Sequence, residues 1–335
     1  MRRPLPQESR LSLERQVLSR RLPSYTSCVA LVVVLLSVSS KAENPNESSW
    51  IDLKDEPARR QLFEKIKWAS GDTRQRAMPK KFSFPADAQR DTIRNVARNN
   101  VLFGIDVSHH DHDELPLGTL REQKVDFVYA KATQGVKFKD PTFAYYWKNL
   151  GDLKSSQRPL RGAYHFLTAL DDGKEQAERF VEYVNLHGGI KNDDMPPCLD
   201  LEWDVPPGNP NKDRWSGQLP DKILGSVIAW LEKTKELTGR TPLVYTSAAW
   251  WHDRIPEEKF VALKDYPIWI ADYSKSGKAT EKPAVINGRT QSLWQFADDA
   301  ILNNGYPGKL DANIFYGSRE AFNQEFGLPH SVHRP

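Results

Sequence analysis

From residue 101 onward, short apolar runs alternate with amphipathic ones, the pattern expected of strands separated by helices. The runs predict eight strands, at Leu102–Val107, Phe127–Ala130, Gly162–Phe166, Pro197–Leu201, Leu243–Thr246, Ile268–Ala271, Leu293–Phe296 and Leu310–Ile314. Two helices stand out between them. Ala177, Phe180, Val181 and Val184 follow a 3.6-residue period that ends at Gly188-Gly189. A second begins at Pro220-Asp221, turns Ile223, Val227, Trp230, Leu231 and Leu237 inward, and stops at Gly239. Later connections are short and rich in Gly and Pro. Eight strands with helices between the early ones predict an α/β fold, a closed TIM-like β/α barrel over residues 101–320. Residues 321–335 read as a C-terminal tail.

The first hundred residues have a different character. Six Arg precede an apolar run from Cys28 to Val38, well short of the ~20 residues of a membrane span. Ser40-Lys41-Ala42 then places small residues where a signal peptidase cuts. Residues 1–42 thus read as a secretory signal peptide with a long basic start, or as an uncleaved anchor through residues 28–38. Either way the body is exported, to the periplasm or beyond the cell, and touches a membrane only through this segment. Residues 43–100 are polar and read as a linker or helical preface, with short helices expected at Arg59–Trp68 and Asp91–Ala97.

Composition narrows the function. The leader carries six Arg and one Lys against two Glu, a net of +5, so of the total +3 the remainder holds −2. That leaves no basic stripe for nucleic acid. Ten Trp and eleven Tyr suit sugar faces as well as cores. Cys28 lies in the leader, so Cys198 is alone in the body and no disulfide framework is expected. A nucleophilic role for Cys198 is weighed against a buried structural thiol and set aside, because no His stands near it in a recognisable pattern.

The chemistry centres on Asp200-Leu201-Glu202. On a strand these two carboxylates share one face, with Cα atoms roughly 6.5 Å apart, so one of them tends to keep its proton. An acid beside an ionised partner is what cleavage of a glycosidic bond requires. In β/α barrels the working groups end several strands. Asp106 and Ser108 end the first strand, Lys131 the second, Tyr164 and His165 the third, and Tyr245 the fifth. Asp272 follows the sixth, Trp294-Gln295 falls in the seventh and Asp311 in the eighth.

Taken together, these residues resemble the glycoside hydrolase family 25 lysozymes, N-acetylmuramidases of the Chalaropsis type, from about residue 102 to 318. Phe103-Gly104-Ile105-Asp106-Val107-Ser108, Tyr129 to Gly135, Gly162-Ala163-Tyr164-His165-Phe166, Asp200-Leu201-Glu202, Trp269 to Tyr273, Trp294-Gln295-Phe296 and Leu310 to Asn313 match in order. The resemblance implies a (β/α)5(β)3 barrel that cuts the β-1,4 bond between N-acetylmuramic acid and N-acetylglucosamine in peptidoglycan. It implies Glu202 as general acid, made ready by the crowding of Asp200, with Asp200 as electrostatic partner that orients the acetamido group. Asp106 and Asp311 would line the cleft floor. Tyr164, Tyr245, Trp269 and Trp294 would shape the sugar groove, with Lys131, Asp272 and Gln295 also facing substrate. It implies a monomer acting on glycan strands, without cofactor or metal.

One departure is His109-His110-Asp111-His112-Asp113, a cluster that invites a metal reading but reads better as a polar loop at the cleft mouth. Each carried-over residue also has a structural alternative. Asp106 and Asp272 can cap loops, Lys131 and Asp311 can serve ion pairs, and the rings can fill the core. Two rival functions are a peptidoglycan-binding barrel without turnover and a chitinase. Retention of both D-x-E carboxylates argues against the first. The chitinase pattern D-x-x-D-x-D-x-E is absent, since Asp194 and Asp204 do not supply it.

Overall fold

A computed structural model describes residues 81–111, 115–206, 209, 212–275 and 277–329. The leader, the helix expected at Arg59–Trp68, His112, Asp113 and the last six residues lie outside the described residues.

All eight expected strands form. They are β1 (Val101–Val107), β2 (Val125–Gln134), β3 (Leu160–Phe166), β4 (Cys198–Asp200), β5 (Leu243–Ser247), β6 (Ile268–Ala271), β7 (Leu293–Leu302) and β8 (Leu310–Tyr316). Neighbours from β1 to β7 pair in parallel, in chain order. Strand β8 runs the other way and pairs with both β7 and β1, which closes the barrel.

A 3-10 turn at Leu117–Thr119 follows β1, and helices α1 (Phe143–Asp152), α2 (Gly173–Leu186), α3 (Pro220–Thr238) and α4 (Ala248–Arg254) follow the next four strands. The three strands after these five units have no α-helix between them, so the architecture is the modified (β/α)5(β)3 barrel. Local chemistry sets the helix ends. Asp172 caps α2 by accepting from Glu175 N, and α3 starts on Pro220 and stops where Gly239 takes φ 67°. Leu237, expected on the buried face of α3, is 43% exposed, because Thr234 fills the last inward position and the helix then runs past the sheet.

Strand alternation sorts the side chains into two cores. Leu102, Phe127, Tyr129, Cys198, Leu243, Trp269, Leu293 and Phe315 fill the barrel interior. The interposed residues, such as Ile105, Val128, Leu199, Val244 and Ile270, pack against the helices. The interior is tight enough to need glycine: a Cβ at Gly104 would come within 2.2 Å of the Phe127 ring, and one at Gly162 within 2.3 Å of Tyr129. Helix α5 (Arg319–Glu325), in the stretch read as a tail, brings Phe322 and Phe326 against this interior cluster next to Phe127 and Phe315. That end is filled, so only the end formed by the strands' C-termini is left for chemistry.

Residues 81–100, read from the sequence as preface, are packed onto the barrel. Ser83–Phe84 adds a short parallel strand against Ile301 and Leu302. Phe84 sits edge-on to Phe103 and Phe82 edge-on to Phe296, covering the outside of β1 and β7. Arg98 ties the segment down by donating to Asp87 O, Ala279 O and Thr280 Oγ1. The helix expected at Asp91–Ala97 is instead a small antiparallel pair, Arg90–Asp91 with Val96–Ala97. Asp91 Oδ1 accepts from Ile93 N and Arg94 N, and Asn95 takes φ 57°, so the chain turns back on itself there and does not go on as a helix.

Because Phe84 is fully buried in this aromatic seam, Phe84→Ala is expected to cost about 3–5 kcal/mol of stability in urea unfolding. An unchanged midpoint would mean that residues 81–100 are a detachable preface after all.

Candidate active site

The side chains above the apolar interior are polar. Following the alternation upward, Asp106, Lys131, Tyr164, Asp200, Tyr245 and Gln295 occupy the inward positions at the strands' C-terminal ends. Asp311 stands beside Asp106 in the β8–β1 register. Strand β4 ends at Asp200, but the ladder continues: Leu167 N donates to Asp200 O and Leu201 N to Tyr245 O, both at 2.9 Å. Cys198 belongs to the interior cluster, and Leu199 and Leu201 to the outer one, so Asp200 and Glu202 keep to the inner side. Trp215 Nε1 donates to Glu202 O at 3.0 Å and fixes the backbone just past the strand.

Burial decides the charge state. Asp200 is buried, and this together with the charges of Glu202 and Asp106 raises its carboxyl well above the ordinary carboxylate range, against the pull of Lys131. Its Oδ1 has no hydrogen-bond partner among the described residues. Glu202 is half-buried, and its carboxyl is pushed up to about 7, first by burial and then by Asp106, again opposed by Lys131. Asp106 is held at about 6: burial raises it, while donors from Asn313 and Gln295 pull it down. The expectation was that Asp200 crowds Glu202; here Glu202 raises Asp200, and Asp106 is a third carboxylate whose charge raises both. Lys131 is the buried counter-cation. Its Nζ donates to Gln134 Oε1 at 2.7 Å and lies 4.9 Å from the Phe166 ring centre.

The other expected residues divide by position. Tyr164 is half-buried, and burial with the charges of Asp106 and Asp200 keeps its phenol neutral. Tyr245 Oη donates to Gln295 Oε1 at 2.6 Å. Trp269 points inward but lies one layer below the mouth, 2% exposed, its ring 5.1 Å from both Tyr129 and Tyr245. Trp294 faces the outer core and donates to Asp272 O at 2.9 Å. Asp272 is used up in its own loop, accepting from Ser274 N, Ser274 Oγ and Ala284 N. Trp269, Trp294 and Asp272 thus stand away from the mouth, where the groove expected of them would be. His165 also faces outward, between Thr133 and Gln176, with burial lowering its ring to about 3. The Cys198 thiol is raised well above its usual range by burial and by Asp200, which keeps it protonated.

Two inward residues had no assigned role, Tyr273 and Asn313. Both follow from the period-2 rule, Tyr273 two places beyond Ala271 and Asn313 two places beyond Asp311. Tyr273 Oη donates to Gln295 Oε1, and Asn313 Nδ2 donates to Asp106 Oδ2 at 2.7 Å. At the mouth, His109 Nδ1 lies 2.7 Å from Asp140 Oδ2, and the His110 ring centre is 3.9 Å from that of His109. Asp111 accepts from Ser108 N. Three members of the His/Asp run are thus engaged in shaping this loop.

Residues 105–304 match the family described as Glycosyl hydrolases family 25. Lysozyme M1 of Streptomyces globisporus is 29% identical over 219 residues, covering 64% of this chain and 68% of that protein. The N,O-diacetylmuramidase of Chalaropsis sp is 30% identical over 197 residues, covering 55% and 84%. The solved bacterial lysozyme from Streptomyces coelicolor superposes with a TM-score of 0.56 at 26% identity, over 67% of this chain and 96% of that one. The family match spans more than half the chain and contains Asp106, Asp200 and Glu202, and on that ground this chain belongs to glycosyl hydrolase family 25.

Proposed function

We propose that the protein is an exported lysozyme that hydrolyses the β-1,4 bond between N-acetylmuramic acid and N-acetylglucosamine in peptidoglycan. The observation that carries this reading is the placement of Asp200 and Glu202 at one strand end, both with raised carboxyls, above a filled interior and beside the buried Lys131 ammonium. One ammonium balances one carboxylate. At neutral pH Asp106, at about 6, is mostly ionised, so a proton remains with the Asp200–Glu202 pair.

In this reading Glu202 gives its proton to the glycosidic oxygen as the bond breaks. It is the half-exposed member of the pair, reachable from the mouth, and a carboxyl at about 7 is a donor matched to neutral solution. Asp200 orients the acetamido group, and it stabilises the positive charge that builds at the anomeric carbon when the proton shared by the pair sits on Glu202. Its buried, unpartnered Oδ1 is an acceptor left for the N–H of the substrate's acetamido group, which favours attack by that group's own oxygen. Asp311 and Tyr164, half-buried at the rim, line the floor and wall. The leader supports export, as a cleaved signal or as an anchor through residues 28–38. No described helix is long and apolar enough to cross a membrane. The partner is the glycan strand, and the protein acts as a monomer.

Digestion of purified peptidoglycan, with mass analysis of the fragments, tests the bond assignment. A new reducing end on N-acetylmuramic acid is expected; one on N-acetylglucosamine would move the cut to the other linkage. Glu202→Gln is expected to lower the lysis rate by about 10²–10⁴ while the protein stays folded. For Asp200→Asn the expected loss is smaller but still at least about tenfold, and a wild-type rate would remove Asp200 from the reaction. Lysis should fall as pH rises through about 7, where Glu202 loses its proton.

The same shift predicts a stability effect. Folded Glu202 holds its proton up to about 7, against an ordinary value of 4.5, so its contribution is fully present below about 4.5 and lost as pH rises to 7. The neutral amide of Glu202→Gln escapes that loss. Its melting temperature relative to wild type is expected to climb between pH 4.5 and pH 7.5, and a flat difference would show that Glu202 is not desolvated.

A further inference from the structure

Trp269 is buried where no sugar can reach it, yet its indole Nε1 donates to Asn313 Oδ1 at 2.9 Å. An indole N–H can only donate, so it dictates which end of the Asn313 amide faces it. The other end, Nδ2, is left to donate to Asp106 Oδ2 at 2.7 Å. That oxygen must therefore accept, and it accepts a second time from Gln295 Nε2 at 2.8 Å. With its nitrogen turned to Asp106, Gln295 presents Oε1 to the phenols of Tyr245 and Tyr273, which both donate to it. Every bond in the chain runs toward one carboxylate oxygen.

We propose that Trp269 sets the direction of this chain, and that Asn313 and Gln295 are positioning residues that hold Asp106 as a bare acceptor beside Asp200 and Glu202. The assignment rests on the lysozyme reading for its consequence, because an ionised Asp106 adds to burial in keeping the general acid protonated. It also replaces a sugar-binding role for Gln295 and Trp269. Gln295 spends Nε2 on Asp106 and takes two hydrogen bonds at Oε1, and Trp269 lies beneath the mouth. A proton on Asp106, when it comes, sits on Oδ1 and not on the oxygen that two N–H groups point at.

The test is Trp269→Phe, which keeps a ring between Tyr129 and Tyr245 but removes the N–H. Free to rotate, Asn313 no longer owes its donor to Asp106. The carboxyl of Asp106, identified by the ¹³C signal that vanishes in Asp106→Asn, should then titrate higher than about 6 by roughly 0.5–1 unit. In lysis assays the acid limb of the pH profile should rise by the same amount. The alkaline limb should fall, since a less ionised Asp106 pushes less on Glu202, so the profile narrows from both sides.

A residue that only fills space would lower the rate without moving either limb. A ¹³C titration unchanged from wild type, or shifted down, overturns the proposal. If Trp269→Phe does not fold, Tyr273→Phe removes one donor from the same chain and should shift Asp106 upward by less; no shift there overturns it equally. The titration needs no substrate. If the wild-type protein releases no fragments from purified walls while Asp106 still shifts, the lysozyme reading falls and this one stands.

Discussion

Asp106, Asp200, Glu202 and the Lys131 ammonium are held at the open end of a barrel whose other end is packed with rings, and their desolvation governs the site. Removing a carboxylate from water favours its neutral form, and a neighbouring carboxylate favours it further. Asp200 meets both conditions, and Glu202 meets them with Asp106 as the neighbour. Lys131 opposes the trend but is itself desolvated and can balance only one charge. The result is a group of acids that shares protons near neutrality, which no carboxylate in water would do.

Keeping such a group in place requires a rigid surround. The strand ladder fixes Asp200, but Glu202 lies past the last β4 residue, and its backbone is held by Trp215. Trp215 is held in turn: its N–H and that of Asp204 donate to Asp213 Oδ1, while Asp213 Oδ2 binds the Arg254 guanidinium. Asp204 pairs with Arg214 and accepts from Ala169 N, which ties the loop after β4 to the loop after β3. These partners are buried or nearly so, and buried pairs fix geometry better than they add stability. In the proposed reaction geometry is what Glu202 needs as proton donor, because a displacement of about 1 Å can cost 10²-fold in rate.

The eight strands and the D-x-E pair were legible because period-2 alternation and chain order carry them directly. Alternation also held information that was not used. Gln295 faces inward, so its neighbour Trp294 must face out. Trp269 and Ala271 face inward, so Asp272 must face out as well. Helix α1 was missed, although Phe143, Tyr146, Trp147 and Leu150 follow the helical period and are all buried. What alternation cannot supply is depth. It puts Trp269 and Tyr245 on the same inner wall, and the register even pairs them; only their packing separates them, the tryptophan buried and the tyrosine partly exposed.

The packing of residues 82–98 lay further out of reach, because nothing local announces it. The reason for it is visible in the barrel's asymmetry. Four α-helices cover β2 to β5, but β7 and β8 are joined by short connections, and the apolar outer faces of β1 and β7 would meet water. Phe82 and Phe84 supply the cover that the helices after the last strands give in a regular barrel, at the seam where β8 reverses direction. Asp106, Gln295 and Asn313 belong to the three strands of that seam, and the hydrogen bonds among them are made across it. A cover that holds β7, β8 and β1 in register therefore also holds the carboxylate on which the proton balance of the site depends.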